Sequence, residues 1–283
     1  MTDREPPSDA KDSEVRGAAD QEAGYAKKPY QDILADELFV AERELTRPAS
    51  GLLLSGFSAG LDIGFGPFAM VVYLTLAADS LPDGLDTLML AGLYAIGFVL
   101  VVFGRSELFT EHTTLAVLPI LDRRTSIDRL GRLWGLIYVA NLVGATAFSL
   151  LASTVGERLG IASEESFAEL ADTLVRHSAL TMFLSAILAG WLMGLMSWLV
   201  TAARETTGQL AIVLIVSFTI GLGSLHHSIA GTVEVLMGVF AADVSVIDYL
   251  RFLGSATAGN VVGGAVFVAL LKYAHAVRSG EDR

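Results

Sequence analysis

Apolar residues run along this chain in six blocks, each long enough for a helix to cross a lipid bilayer. They are Leu52–Ala78, Leu85–Ile120, Leu130–Thr154, His177–Ala203, Leu210–Phe240 and Tyr249–Ala274. A helix rises about 1.5 Å per residue, so about 20 mostly apolar residues span the hydrocarbon core. The second and fifth blocks are too long for one straight crossing. Each carries a polar or glycine-rich interruption: Gly104-Arg105-Ser106-Glu107-Leu108-Phe109-Thr110 in the second, and Gly221-Leu222-Gly223-Ser224-Leu225-His226-His227-Ser228 in the fifth. The pattern predicts an all-α integral membrane protein with six transmembrane helices, the second and fifth broken.

Ahead of the first block, Leu34, Leu38, Ala41 and Leu45 recur at helical spacing, with Asp32, Asp36, Glu42 and Glu44 largely off that stripe. This predicts an amphipathic surface helix over 30–48, resting on the membrane or on the bundle. Met1 to Lys28 is mixed in charge, with Val15 and Tyr25 its only large apolar residues. Such a segment buries too little to fold, so 1–29 reads as a disordered tail rather than a signal peptide. The membrane domain is expected over 49–276, with a second short tail over 277–283.

The two halves resemble each other. Ala140-Asn141-Leu142-Val143-Gly144-Ala145-Thr146-Ala147-Phe148 matches Gly259-Asn260-Val261-Val262-Gly263-Gly264-Ala265-Val266-Phe267 at Asn, Val, Gly and Phe. Each copy follows a broken helix, with Asn141 about 31 residues after Thr110 and Asn260 about 33 after His227. Three spans per half insert the halves with opposite orientation, an inverted 3+3 repeat whose broken helices meet near the midplane. Chance similarity between glycine-rich apolar helices is the other reading. Small residues four apart, Gly56 with Gly60 and Gly190 with Gly194, allow close helix contact in lipid.

Composition agrees with a membrane location: 53% of residues are hydrophobic, 18% are charged, and mean hydropathy is +0.56. The absence of cysteine rules out disulfides and thiolate metal sites. A net charge of −12 argues against nucleic-acid binding. Arg123, Arg124, Arg129 and Arg132 follow the second span, and Lys272, Arg278 and Arg283 follow the sixth. The loops on the other side are poorer in cations, which places both termini in the cytoplasm.

Irregular backbone at membrane depth survives only beside protein or a water-filled cavity, so the two breaks mark a pathway. Each restarted helix has free N–H groups that attract negative charge. Thr110 and Ser228 sit at these restarts, as helix caps or as hydroxyls offered to a solute. His226 and His227 fall in the second break, lining the pore or bonded to a loop carbonyl. No third ligand stands at metal-like spacing beside them, so no metal and no cofactor is expected. Glu107 and Arg105 lie in the first break. Burying either charge alone is costly, so pairing or exposure to a cavity is expected, with Asp62 and Arg105 as candidate charge partners. Nucleotide-loop and His-Glu-x-x-His motifs are missing, which argues against an enzyme.

Taken together, Glu107-Leu108-Phe109-Thr110, Asn141-Leu142-Val143-Gly144, His227-Ser228-Ile229-Ala230 and Gly259-Asn260-Val261-Val262-Gly263-Gly264 resemble the formate/nitrite transporter family, over about Gly51 to Tyr273. The resemblance implies an aquaporin-like protomer, a homopentamer with one pore per protomer, and a small monovalent weak-acid anion as solute. It gives His227 as the central histidine and Thr110 as the threonine facing it. Leu108, Phe109 and Phe98 match the cytoplasmic constriction, and Tyr94, Met193 and Ile220 the periplasmic one. Asn141 and Asn260 belong to the same pathway set. The chain departs from the family at His226, where Glu is usual, at Gly231 and at Asp62.

The expected function is transport of a formate- or nitrite-like anion or its conjugate acid across the cell membrane, proton-coupled through His227. A channel for a neutral solute or water on the same scaffold is the alternative.

Overall fold

The computed structural model describes residues 27–77, 80 and 82–278. Most of the tail expected over 1–29, and residues 279–283, lie outside it. The described chain is all helical. Its elements are α1 (Tyr30–Thr46), α2 (Ala49–Asp62), α3 (Phe65–Ala77), α4 (Asp83–Gly104), α5 (Phe109–Leu115), α6 (Leu118–Leu121), α7 (Ile127–Leu159), α8 (Glu164–Val175), α9 (Ala179–Ala202), α10 (Thr206–Leu222), α11 (Ala230–Ala241), α12 (Val246–Val262), a π-helical stretch (Gly263–Leu270) and α13 (Leu271–Arg278). Among the described residues, 5 helical stretches are long and apolar enough to cross a membrane. The fifth apolar block is divided into α10 of 17 residues and α11 of 12. The second block likewise stops at Gly104 and restarts at Phe109.

Three local features were not expected from the pattern. The first block turns between Asp62 and Phe65. Pro67 has no N–H to return to Ile63, four residues back, so the helix cannot run through unbroken. The last span contains the π-helical stretch at its Gly263-Gly264 pair. Finally, α8 replaces what reads as a loop. Its first turn is capped by Ser163 Oγ, which accepts from Ser166 N at 3.2 Å. Its apolar face, Phe167, Leu170, Ala171 and Leu174, is buried.

Helices cross most closely where glycine removes the side chain. A Cβ on Gly60 would overlap the Asn141 carbonyl, and one on Gly144 the Phe57 carbonyl, so α2 and α7 touch backbone to backbone. A Cβ on Gly190 or Gly263 would likewise overlap the backbone across the α9–α12 crossing. Outward positions stay apolar: Leu54, Leu151, Leu184 and Ile215 are all more than half exposed. Helices apolar all round belong in a membrane, and the protein is a multi-pass membrane protein.

The amphipathic helix α1 packs on protein. Ile33, Leu34 and Leu38 join Leu118, Trp198, Ala269 and Ala276 in one cluster. Two of its acids are buried as well. Glu44 was read as lying off the stripe, yet it is 2% exposed because Arg43 and Arg47 fork onto it. Glu37 is 1% exposed and accepts from Ser197 Oγ.

Burial pushes the Glu37 carboxyl up to about 6, only partly offset by hydrogen bonds from Thr201 and Ser197. A raised acid favours the folded state in its protonated form. Its contribution is complete below the ordinary value of 4.5 and is lost as pH climbs through about 6. The shift is worth about 2 kcal/mol. Hydrogen exchange in α1, corrected for intrinsic rates, is therefore expected to show about an eightfold loss of protection between about pH 5 and pH 7.5. Glu37→Gln should flatten that dependence, and an equally steep profile in the variant would count against the assignment.

Candidate functional site

Both breaks end their first helix in the same way. After Gly104, Arg105 takes the left-handed conformation with φ 54, and Ser106 N bonds back to Val101 O at 3.2 Å. After Gly223, Ser224 has φ 45, and Leu225 N bonds back to Ile220 O at 3.0 Å. This reverse-turn cap satisfies the last carbonyls of a helix, and glycine normally holds the left-handed position. Here glycine stands one residue earlier, so both breaks carry local backbone strain.

Two asparagines from neighbouring helices then hold the loops. Asn141 of α7 accepts from Phe109 N at 2.8 Å and donates to Glu107 O at 2.9 Å and to Gly56 O at 2.8 Å. Asn260 of α12 accepts from Ser228 N at 2.8 Å and donates to His226 O at 3.0 Å and to Ala186 O at 2.8 Å. In both sets the amide lies 32 positions from the N–H and 34 from the loop carbonyl. Leu108 and His227 therefore occupy matching places, each at the middle of its three-residue stapled loop. The capping role considered for Thr110 and Ser228 goes to these amides instead. Neither hydroxyl caps its helix, because a side chain from an adjacent helix already occupies the loop N–H beside it.

The freed groups face each other. His227 Nε2 lies 2.8 Å from Thr110 Oγ1, with both residues at most 1% exposed. His227 Nδ1 accepts from Ala230 N at 3.1 Å. A nitrogen that accepts carries no hydrogen, so the neutral ring holds its proton on Nε2 and donates to Thr110. The threonine hydroxyl hydrogen stays available for a solute. Phe98 stands edge-on to the imidazole, centroids 5.2 Å apart, and Tyr94 lies 5.2 Å beyond it. Leu108, Phe109, Met193 and Ile220 share one buried apolar cluster with these rings. Ser228 Oγ and Tyr94 Oη are buried without a protein partner.

Other candidates are placed differently. His226 has both nitrogens engaged away from Thr110: Nδ1 with Ser185 Oγ at 2.9 Å, and Nε2 with Leu174 O at 2.9 Å. It ties the second break to α8 and α9. Glu107 pairs with Arg47 at 3.1 Å and His112 at 2.6 Å. The suggested pairing of Asp62 with Arg105 does not occur among the described residues. Asp62 accepts from Ser58 and Ser106, at 3.1 and 3.2 Å, while Arg105 is exposed. A turn in the left-handed region carries the guanidinium outward, where water solvates it without a partner. Gly56-Phe57-Ser58-Ala59-Gly60 spells a Gly-x-Ser-x-Gly motif, but it lies within α2. A hydrolase nucleophile needs a strand-to-helix elbow, and this helix supplies none.

A cavity opens at each end. Beside α1, about 550 Å³ is lined by Arg43, Arg47, Arg105, Glu44 and Glu107. On the α8 side, about 150 Å³ is lined in part by Tyr94, Ile220, Ser224, Glu169 and Glu234. Sequence reasoning missed Arg43, Arg47, Glu169 and Glu234 as site residues. The only available signal was an acid inside an apolar helix, which shows no direction. Among the described residues, no group of three or more His, Asp and Glu side chains converges to hold a metal ion.

A family model described as Formate/nitrite transporter matches residues 32–274. Inner membrane protein YfdC of Escherichia coli K12 is 31% identical over 240 residues, 82% of this chain and 74% of that protein. A probable formate transporter of Methanothermobacter thermautotrophicus is 31% identical over 254 residues, covering 82% and 91%. Among solved structures, an FNT family ion channel superposes with TM-score 0.74 at 20% identity, covering 87% of this chain and 98% of that one. A pentameric formate channel with formate bound gives TM-score 0.70 at 24% identity, covering 81% and 98%.

Proposed function

We propose, from the premise that this chain belongs to the formate/nitrite transporter family, that it conducts a small monovalent weak-acid anion or its conjugate acid. It acts in the inner or plasma membrane as a homopentamer with one pore per protomer, and both termini are cytoplasmic. The observation carrying this reading is the buried His227–Thr110 pair, packed edge-on against Phe98 of the apolar cluster that also holds Leu108, Met193 and Ile220, with a cavity beside α1 and another beside α8. The inverted 3+3 arrangement is supported by the matching asparagine sets of the two breaks.

The chemistry follows from these residues. At the cytoplasmic mouth Arg43 and Arg47 are paired with Glu44 and Glu107, which leaves the exposed Arg105 as the lining cation that draws in an anion. The apolar collar excludes ions that keep their hydration shell, and burying a bare charge there costs several kcal/mol. A neutral acid crosses without that cost. His227 Nε2–H donates to Thr110 Oγ1, which leaves the Thr110 hydroxyl hydrogen for the solute. The hydrogen bond from Ala230 ties up Nδ1, so His227 serves as a fixed donor, and proton coupling draws its proton from water or another group.

Proteoliposomes holding the full chain are expected to take up labelled formate or nitrite, faster as external pH falls. Silence towards every weak acid in an intact oligomer would sink the reading. The exposed carboxylate of Glu169 at the outer cavity favours the neutral-solute alternative. Osmotic swelling with water or glycerol, in the absence of acid flux, would establish that alternative instead.

A further inference from the structure

We infer that Glu234 is the proton donor of the outer vestibule, handing its carboxyl proton to the weak-acid anion before the solute reaches the apolar collar. The inference rests on the acid-conduction reading above and adds the group that neutralises the solute.

Four observations carry it. Glu234 projects from α11, one turn beyond its start, and lines the 150 Å³ cavity together with Tyr94 and Ile220. It is 6% exposed and has no hydrogen-bond or ion-pair partner among the described residues. Tyr94 Oη, on a side chain 4% exposed in the same cavity, also lacks a protein partner. Buried polar groups are nearly always satisfied, so two orphans lining one small cavity mark a place for a polar visitor. The His227 ring, with Nδ1 held by Ala230 N–H, has no spare proton to give.

The charges around Glu234 set its form. The titratable groups facing it are Tyr94 from α4 and Glu169 from α8. Of the other elements packed on α11, α3 contributes Met70 and Leu74 to the cavity, and α7 and α12 contribute nothing to its lining. No Lys, Arg or His lines it. An ionised carboxylate without a cation is costly there, so the resting group is the neutral acid.

When an anion A⁻ enters, the carboxyl O–H bond breaks and a new one forms on the solute, giving HA and a carboxylate. Water entering the cavity past the exposed Glu169 returns the proton to Glu234. Charge is conserved, and the proton comes from the outer solution. The vestibule then resists a permanently charged anion and accepts one that can be protonated.

The test is labelled-formate uptake into proteoliposomes by the wild type and Glu234→Gln over a range of external pH. At about pH 5 the bulk supplies neutral acid, and the two should agree within about twofold. At about pH 7.5 the variant is expected to fall about 100-fold below wild type, the low end of what one general acid contributes. Glu234→Asp keeps a carboxyl and should recover part of the high-pH flux. A Glu234→Gln profile parallel to wild type at every pH, equal or uniformly reduced, overturns the role of Glu234 and leaves acid conduction standing. A wild type that carries no weak acid at any pH retires both.

Discussion

Asn141→Leu is expected to destabilise the protein strongly, because it removes the side chain that staples the first break. Leucine nearly preserves the volume but removes three hydrogen bonds, to Phe109 N, Glu107 O and Gly56 O. Each buried backbone group left unpaired costs about 1–3 kcal/mol, so the total is on the order of 3–5 kcal/mol. The left-handed Arg105 adds strain that the staple now holds in place. Asn260→Leu should act similarly through Ser228 N, His226 O and Ala186 O. The measurement is the temperature at which half the oligomer peak is lost on size exclusion after heating. A drop of about 10 °C or more is expected for either variant. A variant as heat-resistant as wild type would show that the loops hold themselves.

His227→Phe is expected to cut flux about 100-fold while leaving the fold intact. The ring keeps the edge-on packing against Phe98 but loses the donor to Thr110 and the acceptor for Ala230 N. Loss of one positioned donor in a dry site typically costs 10²-fold or more, so formate flux should fall about 100-fold. Thr110→Val removes the partner hydroxyl and should produce a loss of similar direction. Uptake at wild-type rates in His227→Phe would remove the histidine from the pathway. The oligomer peak serves as the control, since a folding defect would lower both readouts together.

Much of the architecture was legible because membrane crossing is governed by run length and side-chain polarity, both local properties. The six apolar blocks, the two interruptions and the α1 stripe follow from spacing alone. The matched Asn141 and Asn260 were legible as a repeat, but the register was not. Counting from Thr110 and His227 gives unequal separations, whereas the hydrogen bonds run at one common spacing through Phe109 and Ser228. The first-block turn at Gly64 was hidden because its flanks stay apolar and a hydrophobic pattern does not register a lost hydrogen bond. The helix α8 was missed because its charged residues outweigh an apolar face that only its packing against α11, α3 and α12 makes useful.

By itself, the sequence determined that this is a helical membrane protein with two broken helices, where the breaks fall, and which side chains are available at them. Only the tertiary structure decided what those side chains do. Neighbours such as His226 and His227 point to different partners, so one anchors α8 and α9 while the other meets Thr110 across the fold. Glu107 finds Arg47 and His112, Asp62 finds two serines, and Glu234 faces a small cavity. A side chain's protonation and role depend on what lies within a few ångströms, and those neighbours come from distant stretches of the chain. Spacing along one helix carries no information about them.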